Sequence, residues 1–197
     1  MGVKQHKSLI TPMIIGILMI TTLIWVASTL TSVWTFIPGV ILTFVVYLKT
    51  YYKKIPKPER ILPLYLLLMG IQCLHFAEEY VTDFHVEVPK LLGQEPYPLD
   101  YWLTFNMIAY FFFIVGGIAI YKKKKEYMLL PLFFIVVGVL LNGLGHVLLS
   151  IYTGGYFPGL FSALLYVILG PIILKRIVYE STSTHIKTKK ERIQKFR

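Results

Sequence analysis

Residues 74–80 read LHFAEEY and residues 142–146 read NGLGH. His75, Glu78 and Glu79 stand at i, i+3 and i+4, a spacing that a helix gathers on one face, and Gln72 and Thr82 extend that face by a turn each way. Asn142 and His146, at i and i+4, make a second polar stripe. A divalent metal accepts both imidazole and carboxylate, and three protein ligands with one position left open is the catalytic rather than the structural arrangement. His75, Glu79 and His146 are the candidate ligands, for zinc, iron or manganese. Glu78 and Asn142 are the candidate catalytic residues, with Glu78 taking a proton from a metal-bound water.

Other chemistries use the same groups. Two carboxylates in a low-dielectric pocket do not readily both ionise, so one serves as acid while the other, paired with His75, serves as base. That metal-free arrangement suits isomerisation or hydrolysis of a lipid. A proton-coupled small-molecule transporter is a further reading, and a purely structural lock between helices is the plain one. Transport fits less well, because the two halves of the chain share no polar motif at equivalent places and no charges lead from the cluster to the other side.

Each reading needs elements to hold these groups, and composition says what they are. Of the 197 residues, 56% are hydrophobic and only 15% are charged, too few to cover the surface of a soluble domain. No charged residue occurs from Ser8 to Leu48. As helix that run would extend about 60 Å, twice the roughly 30 Å of a hydrocarbon core, so it implies two spans with a turn near Thr29–Ser32. From Met128 to Leu174 the only ionisable group apart from tyrosines is His146, and YTGGYFPG at 152–159 breaks the run into two more spans. Single spans at 61–82 and 101–121 complete the set. The expectation is a single all-α membrane domain, a polytopic transmembrane helix bundle of six spans at about 9–29, 33–49, 61–82, 101–121, 127–149 and 159–178, with a basic tail at 179–197. The first span is read as retained rather than as a signal peptide, since its apolar run is too long and no cleavage pattern follows.

Six spans in series put 19 of the 20 lysines and arginines on one side, the exception being Lys90. Basic loops stay cytoplasmic, so both termini are expected inside, in a multi-pass protein of the cell membrane. The 83–100 segment, with Asp83, Glu87, Glu95 and Asp100, falls outside. Trp25, Trp34 and Trp102 then lie at outer ends and Tyr51, Tyr52, Tyr121 and Tyr127 at inner ones, as interfacial aromatics should. The net charge of +10 is explained by anionic lipid headgroups, and no nucleic-acid platform accompanies it. Cys73, the single cysteine, cannot form an intrachain disulfide.

At about 1.5 Å per residue, both polar stripes reach the same depth, the outer third of the bundle. Ionised groups facing lipid are costly, so the stripes should face one another. Asn106 and Tyr166 are candidates for the same space, and Gly138, Gly143 and Gly145 would allow close helix packing. The 83–100 segment, with the stiff EPYPLD, is expected to cap the pocket as a loop, His85 being a solvated residue of it or an additional ligand. A site at that level, with no extramembrane domain, implies membrane lipids as surroundings and a hydrophobic small molecule as substrate.

HFAEE is an H-x-x-E-E motif, and with NGLGH it resembles the HXXEE-motif family of integral membrane proteins over roughly residues 55–180. The resemblance implies a multi-helix membrane fold and an enzyme-like site formed by residues 75, 78, 79, 142 and 146, without implying a reaction. The motif is also similar to the soluble metalloprotease pattern H-x-x-E-H, from which Glu79 departs at the last position. The His/Glu pair is loosely similar to sterol-isomerase-type membrane enzymes.

Overall fold

Prolines and left-handed residues punctuate the chain into helices. The computed structural model describes residues 9–26 and 30–195, with side chains at 9–24 and 36–182. Among the described residues the fold is all-α, with seven helices: α1 (Ile10–Val26), α2 (Leu30–Lys49), α3 (Pro58–Val81), α4 (Phe84–Leu91), α5 (Leu99–Lys122), α6 (Lys125–Thr153) and α7 (Leu160–Lys195). Pro58 opens α3, where its missing N–H leaves no bond unmade. Asp83, at φ 57°, turns the chain from α3 into α4, and Lys123, at φ 54°, turns α5 into α6. Gly154, at φ 74°, closes α6 in the left-handed position that glycine fills without a Cβ clash.

Among the described residues, four helices are long and apolar enough to cross a membrane: Pro58–Val81, Leu99–Lys122, Lys125–Thr153 and Leu160–Thr182. Ile10–Ile24 and Phe36–Lys49 are apolar but shorter. Leu66, Leu74, Phe111, Ile118, Leu148, Ile151 and Phe161 are exposed on the helix surfaces, as lipid-facing side chains are. The turn expected near Thr29–Ser32 includes Thr29, which lies outside the described residues, as do the side chains of Trp25 and Trp34. α7 runs on to Lys195, past the expected end of the sixth span at 178.

A single buried stripe organises α3. Ile61, Tyr65, Leu68, Gln72, His75 and Glu79 follow one another at three- and four-residue steps and are all buried. Its first half is apolar. Tyr65 packs edge-on against Phe134 of α6, with ring centroids 5.3 Å apart, and its hydroxyl donates to the Phe113 carbonyl of α5 at 2.7 Å. The second half is polar and meets α6 and α7.

α6 is not α-helical throughout. It opens with a 3-10 turn at Lys125–Tyr127, passes into π geometry over Phe134–Leu141, and returns to α-helix at Asn142. The wide π turns set the rotation of everything after them, and such segments often precede functional residues. Gly143 lets α7 approach: a Cβ there would stand 2.8 Å from the Tyr166 Cβ. Part of the expected loop at 83–100 is helical, as α4, because Pro89 lies late enough in that short helix to leave its first turn intact. The EPYPLD stretch is non-helical up to Pro98.

Candidate metal centre

α3 delivers two adjacent glutamates to different places. Glu79 is buried, and its Oε1 lies 3.3 Å from His75 Nε2 and 3.2 Å from His146 Nε2. The two imidazoles stand at right angles with centroids 4.6 Å apart, and both are buried. One nitrogen from each histidine and one carboxylate oxygen lie within 4.8 Å of one another, a group able to hold a metal ion.

Glu78, half-buried, turns the other way, toward the start of α7. Its carboxylate accepts from the backbone N–H groups of Phe161 and Ser162, each at 2.9 Å, from the Tyr156 hydroxyl at 2.9 Å, and from the Ser162 hydroxyl at closer range. The residue preceding α7 is Gly159, which has no side chain to cap the helix, so Glu78 supplies the cap from α3 and sets its negative charge at the positive end of α7. Tyr156, in the turn between α6 and α7, has its phenol held above the ordinary value by partial burial and by the carboxylate it donates to, so it remains a donor.

These contacts place a hydrogen on Nδ1 of each ring. The Pro158 carbonyl can only accept, so His146 Nδ1, at 2.6 Å, carries hydrogen, and its Nε2 faces Glu79. The Ser162 hydroxyl gives its single proton to Glu78 and must accept at its oxygen from His75 Nδ1, 2.8 Å away. His75 Nε2 has two polar neighbours, the Asn142 amide nitrogen at 2.8 Å and Glu79 Oε1. One nitrogen of each ring and one carboxylate oxygen therefore gather in a buried setting, where a proton on a ring or a metal ion would balance the carboxylate charge.

Distance separates the possible cations. A charge-assisted N–H to carboxylate bond is about 2.7–2.9 Å long. Ligands about 2.0–2.1 Å from a tetrahedral ion stand about 3.3 Å from one another. The observed 3.2 and 3.3 Å are long for that bond and near two edges of such a tetrahedron, with all three atoms within 4.8 Å of one another.

Gly159 makes the packing possible. Its φ is +86°, and a Cβ there would lie 2.4 Å from His146 Cε1 and 3.0 Å from His75 Cε1. Phe84 covers His146, with ring centroids 5.1 Å apart.

Glu79, His146 and Asn142 border a cavity of about 350 Å³, whose other polar residues include Gln72 and Asn106. His75 and Glu78 are not among its lining residues. Asn106 donates to the Trp102 carbonyl at 2.9 Å, and Tyr166 lies beside His75 with its hydroxyl on Gln72 Oε1 at 2.7 Å. Thr82 bonds back to the Glu78 carbonyl at 2.6 Å and stands outside the cluster. Phe84, Val88 and Tyr97 of the 83–100 segment line the cavity, while His85 is half-buried and stacked on Trp102, with centroids 5.5 Å apart, rather than solvated or turned to the ligands.

Residues 66–174 match the family model described as protein of unknown function with HXXEE motif. The chain belongs to this HXXEE family. The match runs from α3 into α7 and contains the motif histidine and glutamates, Asn142, His146 and Ser162, while α1 and α2 lie before it. No curated protein and no solved structure matches the chain.

The sequence alone did not reveal Ser162, Gly159, Pro158 or Tyr156. Their only signal was the glycine- and proline-rich break between α6 and α7, which carries no mark of a site until α7 is seen to start against α3.

Proposed function

We propose that this HXXEE-family chain is a metal-dependent enzyme of the cell membrane acting on a hydrophobic substrate. Its six helices that were expected to span would cross the bilayer with both termini on the basic, cytoplasmic side. His75, Glu79 and His146 hold one divalent ion, of zinc, iron or manganese type, and the position left open faces the cavity. The observation that carries this reading is the pair of 3.2 and 3.3 Å separations between one buried imidazole nitrogen of each histidine and one carboxylate oxygen. A bound ion would supply Lewis acidity to a substrate carbonyl or acidify a water molecule.

The chain's own groups divide the remaining work. The Pro158 carbonyl and the Glu78–Ser162 pair hold the Nδ1 protons outward, the outer-shell arrangement that orients metal-ligating histidines. Glu78 is thus a positioning residue in this mechanism, since four donors already occupy it away from the cavity. Asn142 borders the cavity and offers its amide to the polar group of a substrate. The apolar half of the α3 stripe, Ile61 to Leu68, favours a closed pocket over a polar path across the bilayer.

Elemental analysis of purified protein tests the reading. About one divalent ion per chain is expected, and it should be lost in His75→Ala and in Glu79→Ala. Metal-free protein after purification without chelators and reloading would overturn it and leave the acid/base pair in its place.

A further inference from the structure

At the end of the helices opposite the candidate metal centre, two lysine-rich turns are packed against one another. Residues 49–60 carry four lysines and an arginine against Glu59, and residues 122–126 carry four lysines against Glu126. Lys125 joins the turns: its ammonium donates to the Tyr52 carbonyl and stands 4.7 Å over the Tyr52 ring, while the Tyr47 hydroxyl reaches the Lys125 carbonyl at 3.5 Å. Lys49, Lys53 and Lys57 on the first turn and Lys122, Lys123 and Lys124 on the second are exposed. Like charges on two turns held in contact repel. Glu180 of α7, a carboxylate at the same end, is engaged by Arg60.

Helix ends account for part of this. Lys49 and Lys122 stand in the last turns of α2 and α5, where the helix dipole favours cations. A topology signal asks for basic residues near the spans, and not for two basic turns in contact. Lys123 goes further. It holds φ 54°, in the left-handed position after a helix that glycine fills without strain, and a lysine kept there is kept for its side chain.

The surface leading to the turns indicates what they meet. Phe111, Ile114, Ile118 and Tyr121 of α5 follow at three- and four-residue steps, all exposed, and the stripe ends at Lys122–Lys124. From Phe111 to Tyr121 it is about 15 Å long, the hydrocarbon depth of one leaflet. An apolar stripe of that depth, ending in lysines, has the pattern of a phospholipid, whereas a soluble anion would use only the lysines. We propose that the paired turns bind an anionic phospholipid, its headgroup shared between Lys53 of the first turn and Lys123 and Lys124 of the second, its chains along α5. This site does not depend on the metal reading.

Native mass spectrometry of the detergent-solubilised full chain, titrated with phosphatidylglycerol or phosphatidylcholine, tests this. Phosphatidylglycerol should bind at least about tenfold more tightly. Lys53→Gln and Lys124→Gln should each weaken its binding about fivefold, the usual worth of one lysine at an anionic surface. Lys123→Gly should do the same while thermal unfolding without added lipid is unchanged or moves up, because glycine relieves the left-handed backbone. A lysine kept for the fold alone would show the reverse. Lys175→Gln removes an exposed charge at the same end, on α7, whose neighbours are α3 and the later part of α6; it should change binding less than about twofold. Inorganic phosphate should not displace the lipid. Equal affinity for the two lipids, an equal loss in Lys175→Gln, or displacement by inorganic phosphate overturns the proposal.

Discussion

Both ends of α3 are joined to α7, and the two joints differ in kind. At the basic end, Arg60 meets Glu180 at 2.7 Å and Arg176 reaches the Arg60 carbonyl at 3.1 Å. The Arg60 side chain is 59% exposed while Glu180 is buried, so water and salt reach the pair from the arginine side and weaken it. At the other end, Glu78, Ser162 and His75 form a chain of hydrogen bonds. Helix association requires only the first sort of contact. The second fixes the orientation of a buried imidazole, which packing alone does not ask for.

The largest effect that would sharpen the contrast is expected at Gly159. Gly159→Ala sets a methyl group against both imidazoles and strains a left-handed backbone, so bound metal should fall below about a tenth of an equivalent, with the thermal transition lowered. Elemental analysis and thermal unfolding in detergent check this; full metal occupancy would show that the close approach is incidental. Ser162→Ala comes next. It removes the acceptor of the His75 Nδ1 proton, and metal affinity should weaken about 10–100-fold, measured by chelator competition. Ser162→Thr keeps the hydroxyl and should recover most of the loss, whereas a merely structural serine would show no such rescue.

Tyr65→Phe probes the apolar half of the same stripe. It leaves the Phe113 carbonyl without that donor and should cost about 1 kcal/mol of stability with metal content unchanged. Arg60→Ala should do least, about 0–1 kcal/mol, with no change in metal binding. If Arg60→Ala reduced metal occupancy more than Ser162→Ala, the division between the two ends would collapse.

The His75, Glu79 and His146 grouping was legible in the sequence because helix geometry brings i and i+4 together wherever the helix lies. Residues 75 and 79, and 142 and 146, needed only to be helical and to be kept from lipid. The four long apolar helices were legible from length alone. The separate fates of Glu78 and Glu79 were not, since consecutive residues differ by about 100° around the axis and only the neighbours decide what each meets. Ser162 was hidden because its partner stands 87 positions away. The helical turn at Phe84–Leu91 was hidden because the two prolines of the stretch after it suggested stiffness throughout, although they act only on their own neighbourhood.

The π segment ahead of Asn142 carries a consequence for how this site can be lost. Relative to the first half of α6, His146 points where it does because of the number of residues wound into Phe134–Leu141. Winding the same eight residues as α-helix would turn His146 and Asn142 relative to the first half of α6 and draw them away from Glu79. Seven apolar residues and Gly138, none bearing a reactive atom, thus act on the site through how they are wound. The winding of the helix keeps His146 in register with Glu79.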